Sequence, residues 1–342
     1  MMRRRHVLQA AGALALLGGA ARAASVLTDI MIVAGGPPAG RIDRWSRAAA
    51  QALRASLAPH GVISTETVGG VDGVTAANRA QNLVVPNGRT ATMLPGTTAI
   101  AFLTNDPRVQ FQPDDFVPVL GGLNPLVFVV RGGLQRLSAP TPLRVAAASP
   151  ESGDLAGLLA MARLGVPVAP VFGLNGTRAK SRAFADGQAD ALLLFGEGVI
   201  EDVAPLTAQG GIVVCTLALP GPDAGAQAAF GAVPSLEALI AARGGSALSK
   251  PLDQAYRAVA AVCAIDFMLL LPHLTAPSDI ALWRFAAGRA IHDPAMQDAA
   301  SASDLTLVSG IAAAQAVAPL VTGPDALLAL NRFLASQYGW HR

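Results

Sequence analysis

Lysine is almost missing from this chain: Lys180 and Lys250 are the only two, so nearly all of its 25 basic side chains are arginines. Charge of either sign is sparse, at 14% of residues, and aromatics make up 5%. The charge is also unevenly placed. Arg3, Arg4, Arg5 and Arg22 stand in the first 23 residues with no acid among them, and the rest of the chain carries slightly more carboxylates than cations. Such a body lacks the electrostatic footprint of a nucleic-acid partner. The two cysteines, Cys215 and Cys263, each sit in an apolar run. In an oxidising compartment they could pair, or they could remain buried thiols; spacing alone does not decide.

Motifs for covalent and metal chemistry are lacking too. There is no G-x-S-x-G turn to expose a nucleophilic serine, and no Cys-x-x-Cys. His60, His273, His292 and His341 are isolated, not set at zinc-ligand spacing. The stretch 173–181 approaches a phosphate loop, but Ala179 stands where glycine must precede Lys180. Asp114 and Asp115 follow Pro113 and read as turn formers. No catalytic residue, metal ligand or cofactor is expected, which weighs against an enzyme.

What is present points to an exported protein of two domains. The chain has 342 residues and is 52% hydrophobic, enough for two sizeable cores. Residues 1–23 read as an export signal: a positive start, an apolar run at 7–21 too short to span a bilayer, and Ala21-Arg22-Ala23 as a cleavage site before Ala24. Arg4-Arg5-His6-Val7-Leu8-Gln9 resembles a twin-arginine signal, with an ordinary secretory signal as the alternative. Both place the mature chain in the periplasm. A second apolar stretch, 255–274, contains Arg257, Asp266, Pro272 and His273, so it reads as a buried crossover and not as a membrane span.

Apolar runs alternate with helical patterns, predicting an α/β protein of βαβ units with largely parallel sheets. Strands are expected at 26–34, 62–68 and 90–94, with a helix at 43–59 capped by Asp43. Residues 116–131 hold two apolar runs split by Asn124-Pro125, a crossing between domains. A second series follows, with strands at 143–148, 166–172, 189–195 and 212–218 and helices at 153–164 and 177–186. From about Pro234 the pattern turns helical. In open α/β sheets ligands bind beyond the carboxyl ends of strands, where Gly-rich loops and helix N-termini offer N–H groups. Loops 37–43, 69–73 and 149–154 occupy such places, although tight turns need glycine for steric reasons alone.

At these loops the chain resembles the Bug family, the periplasmic receptors of tripartite tricarboxylate transporters. Its first loop, Pro38-Ala39-Gly40-Arg41-Ile42-Asp43, is similar to the family's P-G-G-x-x-D, and Glu66-Thr67-Val68-Gly69-Gly70-Val71-Asp72-Gly73 to E-N-x-x-G-A-G-G. Asn87-Gly88-Arg89-Thr90-Ala91, Asp115-Phe116-Val117-Pro118-Val119 and Val233-Pro234-Ser235-Leu236-Glu237 follow in the family's order.

The resemblance implies a type II periplasmic-binding-protein fold, two α/β lobes with a ligand cleft between them. Residues 24–125 and 234–342 would form the first lobe and 126–233 the second. It implies that Pro38, Ala39, Gly40, Asp43, Gly69, Gly70 and Asp72 line one side of the cleft. Ser149, Ser152, Gly153 and Asp154 would face them, with Phe172, Gly173 and Asn175 nearby. Asp190 matches a family G-Q-x-D, with a plain strand-edge residue as the alternative. The implied function is capture of a small organic solute by hinge closure and delivery, as a monomer, to membrane permease subunits. A ligand sensor for a receptor kinase, or an enzyme on the same fold, are the rival readings. Three departures stand out: Gly36 replaces an aromatic, Asp72 a glycine and Asp154 a small hydroxyl residue. Two extra acids should repel a dianion unless Arg41 and Arg89 compensate, so a neutral, zwitterionic or amine-bearing ligand is expected.

Overall fold

The computed structural model describes residues 27–217 and 228–340, so the expected export signal lies outside the described residues. Among the described residues eleven strands are numbered in chain order. They are β1 Asp29–Gly35, β2 Val62–Val68, β3 Thr90–Leu94, β4 Phe116–Leu123, β5 Val127–Arg131, β6 Leu143–Ala146, β7 Val168–Val171, β8 Ala191–Leu194, β9 Gly211–Thr216, β10 Ile265–Pro272 and β11 Thr306–Ser309. They form two sheets, one in the order β11-β4-β10-β3-β1-β2 and one in the order β7-β6-β8-β5-β9. Each sheet is the centre of one α/β lobe.

The sheets are mixed, which corrects the expectation of largely parallel ones. The βαβ units pair β1 with β2 and β3, and β6 with β7 and β8, in parallel. β10 runs antiparallel between β3 and β4, and β5 antiparallel between β8 and β9. The tail expected to be helical after Pro234 therefore supplies β10 and the edge strand β11. β10 was hidden because it follows the helix Lys250–Ala264 without a turn residue, and Ile265, Phe267, Met268, Leu269 and Leu271 are buried on both faces. A doubly buried strand reads as a continuous apolar run, with no alternation to separate it from helix. No single helix among the described residues is long and apolar enough to cross a membrane.

The helix Arg41–Leu57 shows how patterning seats an element. Trp45, Ala49, Leu53 and Leu57 recur on one face and are buried with Ile32, Met93, Phe267 and Trp283. Each such large side chain contributes about 1.5–3 kcal/mol on burial. The helix begins at Arg41 with Gly40 as N-cap, so Asp43 is not the cap.

The chain passes between the sheets twice, from β4 to β5 and from the helix Lys250–Ala264 into β10. Asn124 joins the two passages: its N–H donates to the Ala264 carbonyl at 2.9 Å and its Nδ2 to the Cys263 carbonyl at 3.1 Å. The helix Lys250–Ala264 shares a core with Phe128 of β5, Leu158 and the C-terminal Leu330 and Leu334. Cys215 and Cys263 are both buried and free. Burial pushes the Cys215 thiol up to about 12 and that of Cys263 higher still, so neither is poised as a nucleophile.

Candidate functional site

Because β1, β2 and β3 run parallel, the loops leaving their carboxyl ends cluster on one edge of the first sheet. The loop at 36–40 holds Pro38, Ala39 and Gly40. Ala39 adopts a left-handed backbone, with φ +59°. Asp43, in the first helical turn, reaches back to the Ala39 N–H at 2.7 Å and takes both Nε and NH2 of Arg47 at 3.0 Å. The Arg47 guanidinium, helped by that N–H, holds the Asp43 carboxyl below the usual range despite its burial. Its carboxylate is thus engaged in fixing the loop.

The second loop follows β2. Gly69 has φ +82°, and a Cβ there would meet Thr75 at 2.7 Å, so both backbone and space require glycine beside Gly70. Asp72 accepts the Val74 N–H at 3.2 Å through Oδ1 and pairs through Oδ2 with Arg108 at 2.7 Å. Thr98, after β3, donates to the Asp72 carbonyl at 2.8 Å and ties the second loop to the third.

The second lobe repeats the arrangement. The loop at 147–154 leaves β6, and Gly173 and Leu174, after β7, donate to the Ala148 and Ala147 carbonyls at 2.9 and 3.1 Å. Ser152 Oγ donates to the Ser149 carbonyl at 2.7 Å. Asp154 is buried. Its Oδ2 accepts the Ala148 N–H at 2.8 Å and its Oδ1 meets the buried Lys180 Nζ at 2.6 Å. Gly153 packs so closely that a Cβ would lie 2.4 Å from the Phe195 ring. Asn175 precedes the helix Gly176–Ala185 as its N-cap, and Phe172 packs edge-on against Tyr338, with ring centroids 5.7 Å apart.

The structure therefore gathers the first-lobe residues on one sheet edge and the second-lobe residues at the matching edge of the other sheet, with one exception. Asp190 sits before β8, at the opposite end of the sheet, where Arg144 grips both its oxygens at 2.6 and 3.1 Å and Arg136 adds a third contact at 3.2 Å. It fixes the start of the strand. The charge expectation also needs correction: Asp72 and Asp154 are compensated, by Arg108 and Lys180 and not by Arg41 and Arg89.

Sequence reasoning passed over the loop that joins the lobes. Phe195-Gly196-Glu197-Gly198 leaves the carboxyl end of β8. Glu197 accepts the Trp45 indole Nε1 at 2.8 Å and an Arg44 nitrogen at 2.9 Å, both from the first lobe. The Gly196 N–H donates to Asn124 Oδ1 at 2.9 Å, and the Ile200 N–H to Asp304 at 2.9 Å. The signal was legible: two glycines flank an acid directly after a strand. Beneath this loop Arg41 NH1 pairs with the buried Asp266 on β10.

No protein-family model matches the chain, and no curated protein sequence does. Solved structures do. A TctC solute-binding protein from Polaromonas superposes with a TM-score of 0.63 at 16% identity, over 88% of this chain and 98% of that one. The fold is that of the TctC and Bug-type periplasmic solute-binding proteins. MatC from Rhodopseudomonas palustris with bound malate shares this TctC-type fold at a TM-score of 0.53 and 19% identity, over 90% of this chain and 98% of that one. A second R. palustris protein, with adipate, gives 0.53 at 16% identity, over 91% and 97%.

Proposed function

We propose that this chain is the periplasmic substrate-binding component of a tripartite tricarboxylate-type uptake system, binding a small organic solute without turning it over. In this reading a signal at 1–23, of the twin-arginine kind, is removed before Ala24. The first lobe is built on residues 24–124 and the returning strands β10 and β11, and the second on residues 126–233 together with the helix Lys250–Ala264, which shares the core of β5 and so moves the expected boundary at 234 to the crossing at Ala264. The lobes close about the crossings at Asn124 and Ala264, and the closed monomer delivers its solute to membrane permease subunits. The ligand side of each lobe is the loop set named above: Pro38, Ala39, Gly40, Asp43, Gly69, Gly70 and Asp72 against Ser149, Ser152, Gly153, Asp154, Phe172, Gly173 and Asn175.

One observation carries the reading. The carboxyl-end loops of the two sheets approach each other across the crossings, close enough for Trp45 and Arg44 to reach Glu197. Ligands of open α/β sheets bind at such edges. The pairing of Asp72 and Asp154 with cations removes the repulsion expected against an anionic solute, and the malate and adipate in two proteins of this fold make small organic acids the first class to test. Micromolar affinity would correspond to about −8 kcal/mol, within reach of a few loop N–H bonds and some apolar burial.

A thermal-shift screen of the purified protein against organic acids, amino acids, aromatic acids and amines tests it. A ligand of the folded state raises the melting temperature saturably. A shift confined to one class, with unchanged ligand recovered afterwards, is expected. Folded protein that shifts with none of them, or that converts the compound, overturns the reading.

A further inference from the structure

Asp266 lies on β10 one residue beyond the second crossing. It is buried, yet its Oδ2 has no hydrogen-bond partner, while its Oδ1 takes NH1 of Arg41. Arg41 opens the helix Arg41–Leu57 at the ligand edge of the first sheet, and its side chain is 34% exposed. Among the described residues, its Nε and NH2 groups have no partner beyond the contact with Asp266. The first-turn N–H groups of a helix have no partner within it, and over 17 residues the peptide dipoles add to favour an anion there. An open guanidinium edge thus stands directly beside an orphaned acceptor oxygen.

We infer that the Arg41–Asp266 pair reads a carboxylate whose adjacent carbon carries a hydrogen-bond donor. This rests on the solute-binding reading and narrows it. The carboxylate lies on the open edge of Arg41 and the helix N-terminus, and the neighbouring ammonium or hydroxyl donates to Asp266 Oδ2. A plain dicarboxylate satisfies the arginine and leaves the buried oxygen without a donor, which is the arrangement polar sites discriminate against most strongly. Burial pushes Asp266 up to about 6 while the Arg41 charge opposes that, so the oxygen remains an ionised acceptor at neutral pH. Gly196 lies over the pair, where a Cβ would be 4.0 Å from Asp266 Oδ1, and Glu197 ties that loop to Arg44 and Trp45. The oxygen is reached when the loop lifts as the lobes part.

Isothermal titration of the purified protein with two matched series tests this: succinate, malate and aspartate, then glutarate, 2-hydroxyglutarate and glutamate. At least one donor-bearing acid should bind tenfold or more tightly than the plain acid of its length, and the better of hydroxyl and ammonium identifies the donor. Asp266→Asn should erase that preference while keeping the affinity for the plain acid. Arg41→Gln, whose amide can still donate to Asp266, should weaken every acid that binds, with circular dichroism confirming the fold of both variants. Equal affinity within each series, or a preference that survives in Asp266→Asn, overturns the inference. Binding by none of the six overturns it as well; a ligand found in the wider thermal-shift screen would then leave the solute-binding reading standing on its own.

Discussion

The Trp45 indole Nε1 donates to Glu197 Oε1 at 2.8 Å, joining the first helix of one lobe to the loop after β8 of the other. The ring is fixed from its other side by stacking on Phe267, with centroids 4.6 Å apart. Trp45→Phe keeps that stacking and removes the donor. It should cost about 1.5–3 kcal/mol in urea unfolding, the usual worth of a hydrogen bond to a charged group, besides the packing lost with the smaller ring. Glu197→Ala should also raise the radius of gyration measured by small-angle scattering, because it releases Trp45 and Arg44 together. An unchanged radius would show that the other interlobe bonds, at Asn124 and Asp304, suffice to hold the lobes.

Ala39 offers a test of local strain. Its φ of +59° lies where a Cβ costs roughly 1–2 kcal/mol, and the resembling family pattern has glycine at this place. Ala39→Gly removes that cost but gives back about 0.4–1 kcal/mol through the freer unfolded chain. A net gain of about 0.5–1 kcal/mol is expected. A loss would mean that the Asp43 bond to the Ala39 N–H, at 2.7 Å, depends on the stiffer residue.

Much of this architecture was legible because local signals and tertiary roles agree. β2 and β3 fall where alternation and flanking glycines put them, and the break at Asn124-Pro125 does separate β4 from β5. The ligand-edge loops were legible for the same reason: glycines such as Gly69 sit at positive φ directly after strands. What stayed hidden depends on partners distant in sequence. β10 is made a strand by neighbours some 150 residues earlier, and nothing in Ile265–Pro272 announces that pairing. Likewise Asp72 and Asp154 looked like unbalanced charge until the fold brought up Arg108 and Lys180. Asp190 fits a family pattern by spacing, but strand direction puts it at the far end of the sheet.

The Lys180–Asp154 pair is buried on both sides and closes with a 2.6 Å contact. Breaking it from one side should leave a charge without compensation in a low-dielectric place. Asp154→Asn and Lys180→Met should each cost about 3–5 kcal/mol. The double variant should be clearly less damaging than the sum of the two, since it removes both charges; replacing a buried pair by apolar groups is often nearly neutral. Urea unfolding of the four proteins gives the coupling directly. Additive losses would mean that Asp154 acts mainly through the Ala148 N–H and Ser152, and not through the lysine.

Asp266 predicts how stability should move with pH. Burial is the main cause that lifts its pKa from 3.8 to about 6, with Arg41 opposing and Glu197 reinforcing. The folded state therefore binds this proton more tightly than the unfolded chain does. While ionised, at pH 7 and above, the group opposes folding. As pH falls through 6 toward 3.8 the penalty is relieved, so its contribution becomes more favourable on acidification, the reverse of an ordinary salt-bridged acid. A shift of this size corresponds to about 3 kcal/mol. Other carboxylates, Asp43 among them, lose stabilisation over the same range, so the absolute curve will not show the effect. The difference between wild type and Asp266→Asn should, moving in favour of the wild type by about 2–2.5 kcal/mol from pH 7 to pH 4, the remainder lying below pH 4. Urea unfolding at pH 7, 5.5 and 4 measures it. A constant difference would mean that Arg41 compensates the buried charge fully.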